Sequence, residues 1–157
     1  MEHQEKTLPT AQLLEEYRAL LDTVETLPLG ITGSSMGPFL VPGRDSVLLE
    51  KPKRPLRCGD IVLYRRESGA YILHRVCRCC ADGSYCMIGD AQRIVEPGIR
   101  PEQVLAVVRS ARRKGRYQGP GRFWWEFFAR VWIRVIPQRE RLLGLYTELK
   151  AIGRIFS

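Results

Sequence analysis

The pattern of hydrophobic and polar positions divides the chain into a helical start, a series of short strands and a helical end. Leucine, tyrosine and valine recur at helical spacing between Pro9 and Leu27, and Thr10 stands where a capping residue belongs. Short runs rich in β-branched and aromatic residues follow, separated by turn residues. The pattern predicts strands at residues 46–50, 60–65, 70–79, 85–88 and 104–109.

These elements predict a mainly β fold. Five or six short strands with tight turns indicate a mostly antiparallel sheet that is curved or partly closed. With 157 residues, 45% of them hydrophobic, the chain fits one domain with appendages. We expect an N-terminal amphipathic helix in residues 1–28, a β domain in residues 29–110 and a basic, aromatic tail with amphipathic helices in residues 111–157.

The tail combines aromatic and basic residues. Residues 112–121 read as a linker, and the run from Phe123 to Ile136 that follows contains all three tryptophans of the protein. Pro137 interrupts this run, and a second amphipathic segment covers residues 142–156. Bulky rings beside arginines favour attachment to an anionic membrane surface through residues 122–157. Packing on the domain or self-association is the alternative, and nucleic acid is not expected.

Charge is unevenly distributed. Residues 1–108 hold 13 Lys and Arg against 14 Asp and Glu, whereas residues 109–157 hold 12 against 3. A negatively charged partner should therefore meet the last third of the chain. Neither a long apolar run nor a secretory signal is evident, so we expect a cytoplasmic protein that is peripheral on the membrane.

Five cysteines occur, and four of them fall between Cys77 and Cys86. Their spacing differs from the paired C-x2-C pattern of structural zinc sites, and adjacent strand residues such as Cys79 and Cys80 point to opposite faces. An odd number of cysteines without a secretory signal favours free thiols. We expect no metal here, and packing or redox-sensitive thiols instead.

Ser35 is the candidate nucleophile. It lies between small residues in the segment Gly33–Leu40, whose glycines and Pro38 predict an open, stiff turn. A serine hydroxyl needs a neighbouring base to attack a carbonyl. The chain has two histidines, His3 in a polar tail and His74 in a predicted strand, so His74 is the candidate base. The alternative is a turn serine and an unrelated strand histidine.

Five short motifs around these residues resemble the type I signal peptidases, which share a superfamily with LexA-like self-cleaving repressors. In chain order the motifs are Gly33–Leu40, Pro42–Val47, Gly59–Val62, His74–Val76 and Gly89–Ala91. The bacterial branch of the family uses a lysine base, while the branch typical of archaea and the endoplasmic reticulum has a histidine in an HRV sequence. This chain resembles the histidine branch.

The resemblance implies the signal peptidase/LexA-like β-fold and a serine endopeptidase that cleaves a leader-type bond in a peptide or protein precursor, without metal or organic cofactor. Ser35 would attack the carbonyl, and His74 would act as general base near its ordinary pKa of about 6.5 and then as general acid. Asp90 is favoured as the acid that orients His74, and Glu96 stands near a second acidic position of the family.

The resemblance also suggests where an oxyanion would bind. The Ser35 backbone N–H would donate one hydrogen bond. Gly33 occupies the place where some bacterial relatives carry a serine donor, and Ser34 is a weak substitute. Loss of that donor leaves an alternative function open, a weak or inactive peptidase-like module that binds peptides at the membrane surface. The sequence does not indicate the oligomeric state.

Overall fold

The computed structural model describes residues 11–155. Thr10, His3 and the end of the predicted last helix at residue 156 lie outside the described residues. Two longer helices flank a sheet of eight strands, with a short helix before the second. The elements are α1 Ala11–Leu20, β1 Leu27–Gly30, β2 Ser46–Glu50, β3 Ile61–Arg65, β4 Tyr71–Cys79, β5 Tyr85–Ile88, β6 Glu96–Ile99, β7 Val104–Arg113, β8 Arg116–Gln118, α2 Phe123–Glu126 and α3 Arg139–Ile155.

The strands form one antiparallel sheet in the order β1-β2-β7-β3-β4-β5-β6, with β8 paired to β7. The mainly β, antiparallel prediction is confirmed. The sheet is open, because β1 and β6 are its two ends.

The sheet separates two hydrophobic cores. Successive residues of a strand point to opposite faces, and β3 shows this in the middle of the sheet. Ile61 and Leu63 belong to the larger core, which also contains Phe39 and the tail aromatics. Val62 and Tyr64 belong to the smaller one. All four side chains are buried, so β3 is covered on both faces.

The tail packs on the domain. Trp125, Phe128 and Trp132 are buried in the larger core, and the Phe128 ring lies 4.9 Å from that of Phe39. Their segment winds irregularly, with a π-helical turn at Phe127–Val131 and 3-10 turns at residues 132–138. These three rings are therefore covered by the domain, and attachment of residues 122–157 to a membrane surface stays a prediction. No helix between residues 11 and 155 is long and apolar enough to cross a bilayer.

The predicted linker at residues 112–121 is partly strand. β7 continues to Arg113 and pairs with β8 through a tight turn in which Lys114 and Gly115 have positive φ. The boundary predicted after residue 110 therefore falls inside a strand. The sequence also missed β1 and β6, which carry Pro28, Pro97 and Gly98, because proline and glycine weaken a strand pattern.

Candidate active site

Ser35 lies in a turn between β1 and β2 and is half-buried. The loop that follows β5 fixes this turn, since the Ala91 N–H donates a hydrogen bond of 2.9 Å to the Ser35 carbonyl. Gly89 permits the approach, because a Cβ at this position would lie 2.5 Å from the same carbonyl oxygen. The Gly-Asp-Ala motif thus has a physical task, which is to hold the serine turn against the sheet.

His74 and Ser35 line one cleft of about 290 Å³. His74 lies on β4 and is 3% exposed. The rest of the cleft lining is mostly apolar and comes from β1, the serine turn and the start of β4. Among the described residues, no hydrogen bond joins the Ser35 hydroxyl to the imidazole. Such contacts are often long before substrate binds.

A chain of hydrogen bonds fixes the histidine ring. The Tyr64 hydroxyl lies 3.3 Å from His74 Nδ1 and donates to Glu96 Oε2 at 2.7 Å. Arg66 holds both Glu96 oxygens, at 2.8 and 2.7 Å. A phenol has one proton to give. Because Tyr64 gives it to Glu96, the Tyr64 oxygen is left to accept the Nδ1–H of His74, which leaves Nε2 unprotonated.

The surroundings shift the pKa values of this network. Burial, reinforced by the charge of Arg66, lowers the pKa of His74 from 6.5 to about 4. Hydrogen bonds from Arg66 and Tyr64 lower the pKa of Glu96, while burial and the bond to Glu96 raise that of Tyr64. At neutral pH the imidazole is therefore a neutral base beside a carboxylate. This pKa lies below the ordinary histidine value that the sequence analysis expected.

Asp90 takes another position than the sequence suggested. It is fully buried, and its two oxygens accept hydrogen bonds of 2.9 and 2.8 Å from Arg75. His74 and Arg75 are neighbours on one strand, so their side chains leave on opposite faces of the sheet. Asp90 lies on the face of the sheet that carries the Arg75 side chain. The carboxylate linked to His74 is that of Glu96, through Tyr64.

The Arg75–Asp90 pair instead connects the motifs. Arg75 also donates to the Gly59 carbonyl at 2.8 Å and lies over the Phe39 ring. Trp132 from the tail donates to the Asp90 carbonyl at 2.7 Å. The pair thereby links the serine turn, the turn before β3 and the loop after β5. Removing one partner of such a buried pair is strongly destabilising, because the other charge is left buried without compensation.

The possible oxyanion donors differ in position. Within the described part of the chain, the Ser35 N–H donates no hydrogen bond. Gly33 has no side chain to offer, and Ser34 lines the cleft but is exposed. Gln92, which the sequence analysis missed, also lines the cleft. Its side-chain oxygen accepts the Gly89 N–H at 3.2 Å, which orients its NH₂ group.

The network residues Tyr64 and Arg66 were also missed. One signal for Tyr64 was present in the hairpin predicted from residues 60–65 and 70–79. In the register of that hairpin His74 faces Val62, and Tyr64, two positions further, shares its face. Arg66 carries no comparable signal, since its role depends on where Glu96 lies.

The cysteines lie away from the cleft, and all five are free thiols. Cys80 and Cys86 approach to 3.6 Å between sulfurs, while Cys79 turns the other way and donates to the Leu56 carbonyl. No group of three or more metal-binding side chains occurs in residues 11–155.

Two open strand edges border the cleft. β1 ends the sheet and pairs only with β2 among the described strands. Residues 71–74 of β4 precede its first pair with β5, which joins Arg75 to Ile88. Both edges contribute residues to the cleft lining. The Tyr17 hydroxyl already donates to the Pro28 carbonyl of β1, so the unpaired stretch of β4 is the edge better suited to accept an extended peptide as an added strand.

Comparison of the chain with protein-family models, with curated proteins and with solved structures finds no match in any of the three.

Proposed function

We propose that this protein is a serine endopeptidase similar to the histidine-type signal peptidases, with the fold of that superfamily. One observation carries the proposal: Ser35 and His74 line the same cleft, and the His74 ring is held in the tautomer that a general base needs. The imidazole is linked to the Glu96 carboxylate through Tyr64, and the Ser35 hydroxyl lines the same cleft without a hydrogen bond to the ring, so the site holds the three groups of a catalytic triad with one tyrosine inserted.

In the proposed reaction the Ser35 oxygen attacks a peptide carbonyl and His74 Nε2 takes the serine proton. The resulting imidazolium is stabilised by the nearby charge of Glu96, which raises the histidine pKa against the effect of burial. His74 then gives this proton to the leaving amine, and an acyl group remains on Ser35. The same nitrogen then takes a proton from a water molecule as the water attacks the acyl carbonyl, and it returns this proton to the Ser35 oxygen when the ester bond breaks.

The oxyanion of each tetrahedral intermediate would accept hydrogen bonds from the Ser35 N–H and from the side-chain NH₂ of Gln92. Both donors flank Gly89 and are fixed by backbone contacts. Pre-oriented donors lower the barrier because they need no rearrangement when the charge develops. Gln92 thus replaces the serine donor that Gly33 lacks.

The proposed substrate is an extended, largely apolar segment of a peptide or protein precursor, such as a leader sequence. The open edge of β4 would bind its backbone, and the apolar walls, which include β1, would accept its side chains. The low pKa of His74 makes it a weaker base than an ordinary imidazole, so we expect slow turnover.

A second candidate function is a module that binds the same peptides without cutting them. It is favoured by one observation: the Ser35 hydroxyl has no hydrogen bond to His74 in the described structure. Peptide binding requires only the cleft and its strand edges.

The two functions are separated by incubating the full chain with a complex peptide mixture and identifying new N-termini by mass spectrometry. We expect new termini with wild type and with Ser68→Ala, a serine exposed in the β3–β4 turn, and none with Ser35→Ala. Identical termini from Ser35→Ala would contradict the peptidase. Intact peptides retained equally by wild type and Ser35→Ala, without cleavage, would establish the binding module.

A further inference from the structure

A second groove, of about 670 Å³, lies between the β7–β8 hairpin and the C-terminal helices. It is separate from the cleft with Ser35 and His74, since the two share no lining residue. Its size is within the range of pockets that hold small ligands.

The floor of this C-terminal groove is apolar and open to solvent. Trp124 is 44% exposed, and Leu142 and Tyr146, one turn apart on α3, are 40% and 50% exposed. Large side chains of this kind are normally covered, and an exposed apolar area bordered by charge marks a ligand or interaction site. The floor suits an acyl chain or a similar apolar body.

One wall of the groove is basic. Arg113, Lys114 and Arg116 of the hairpin line it. Among the described residues none of the three has an acidic side chain within ion-pair distance. The nearest acid, Asp45, is bound by Arg44 and by the Lys114 backbone N–H. The wall therefore presents three cationic side chains that have no ion-pair partner among the described residues.

Arg113 is the fixed member of this wall. It is half-buried, lies over the rings of Phe39 and Trp124, and donates to the Phe39 and Pro38 carbonyls. A guanidinium has five N–H donors, so others remain for a ligand. A pre-positioned arginine loses little freedom when it binds a phosphate or carboxylate.

Gln118 adds a polar contact inside the groove. Its side-chain oxygen is buried and is the one such side-chain atom of residues 11–155 without a hydrogen-bond partner. A buried acceptor without a partner is costly, and a ligand hydroxyl would satisfy it. The same space thus offers an apolar floor, a cationic wall and an acceptor.

We propose that the C-terminal groove binds one anionic lipid. Its acyl part lies on the aromatic floor, its phosphate or carboxylate meets Arg113, Lys114 and Arg116, and a head-group hydroxyl donates to Gln118. This assignment is independent of the peptidase chemistry. The lipid comes either from a bilayer or from monomeric amphiphiles, and the two sources are distinguished by experiment.

The test titrates the full chain with monomeric short-chain phosphatidylglycerol and, separately, with mixed phosphatidylglycerol–phosphatidylcholine vesicles. Phosphatidylcholine alone is the neutral control. Tryptophan fluorescence reports binding, since Trp124 and Trp132 line the groove. Lys114→Gln/Arg116→Glu removes wall charge, and Leu142→Glu places a carboxylate on the floor. Arg122→Glu/Arg134→Gln makes the same charge change at exposed positions outside the groove.

We expect wild type and the Arg122/Arg134 variant to bind phosphatidylglycerol alike. The Lys114/Arg116 variant should bind more weakly by about fivefold for each unit of positive charge lost, and Leu142→Glu should bind still less. Binding of monomers identifies free amphiphiles as a source; binding of vesicles alone, weakened only in the groove variants, identifies a bilayer source and also supports the site. Equal weakening in both double variants, or equal binding of phosphatidylcholine, would overturn the proposal.

Discussion

Burial of His74 predicts an acid-sensitive fold, and the chain allows the effect to be isolated. The unfolded chain should bind a proton at His74 near pH 6.5, whereas the folded protein resists it down to about pH 4. Between these values the unfolded state holds more protons, so stability falls as the pH falls. Above pH 6.5 the imidazole is neutral in both states and the effect vanishes.

The size of the effect follows from the two pKa values. A difference of this size corresponds to about 3 kcal/mol once the pH is below both values, and about 2 kcal/mol of it is lost between pH 7 and pH 5. The side chain is 3% exposed, so solvent screening reduces this little. Carboxylates take up protons mainly below pH 5, so the loss of unfolding free energy between pH 7 and pH 5 is due mainly to histidine.

The assay is urea unfolding at pH 7 and pH 5, followed by tryptophan fluorescence. Wild type should lose about 2 kcal/mol of unfolding free energy over this interval, and His74→Gln should lose only a small part of it. His3→Gln, which changes the chain's other histidine, is the matched control and should behave as wild type. Equal losses in wild type and His74→Gln would refute the reasoning, because His74 would then titrate normally in the folded protein.

Three further substitutions test the assignments in the site. Tyr64→Phe removes the acceptor of the His74 Nδ1–H, so turnover should fall on the order of 10²-fold while urea unfolding shows a folded protein; an unchanged rate would contradict the hydrogen-bond chain. Gln92→Glu replaces the NH₂ donor by an acceptor, and kcat should fall by about 10²- to 10³-fold with little change in KM; a change in KM alone would argue against an oxyanion role. Asp90→Asn leaves Arg75 buried without its counter-charge, which should cost about 3–5 kcal/mol in urea unfolding. The rate per folded molecule should stay near that of wild type, and a selective loss of rate would restore Asp90 as the acid that acts on His74.

Much of the sheet could be predicted from the sequence, because the strands concerned carry strong local signals. β2 and β5 were predicted with their observed bounds, and β3 and β4 to within one residue. The strands that were missed, such as β6 with Pro97 and Gly98, form through long-range pairing that local preference opposes. The irregular turns of the tail likewise result from tertiary packing, since they place Trp125 and Trp132 in the larger hydrophobic core.

The site could be predicted in part. Motif spacing selected Ser35 and His74, and both line one cleft. The sequence favoured Asp90 over Glu96 as the acid that orients His74, but the choice depends on which face of β4 each carboxylate lies on. Arg75 binds Asp90 on one face of β4. On the other face, the Tyr64 hydroxyl contacts both Glu96 and His74. The C-terminal groove could not be predicted from the sequence either, because it forms only when the tail packs against the β7–β8 hairpin.

The central claim is that His74 activates Ser35, and a fluorophosphonate probe tests it most directly. The rate of labelling is measured from about pH 4 to pH 8 for wild type, Ser35→Ala and His74→Ala, with the labelled residue identified by mass spectrometry. We predict labelling at Ser35 alone, at a rate that is constant around neutrality, decreases toward about pH 4 and is lost with His74→Ala. A folded wild-type protein that stays unlabelled at every pH, or labelling of Ser35 that persists unchanged in His74→Ala, would contradict the account.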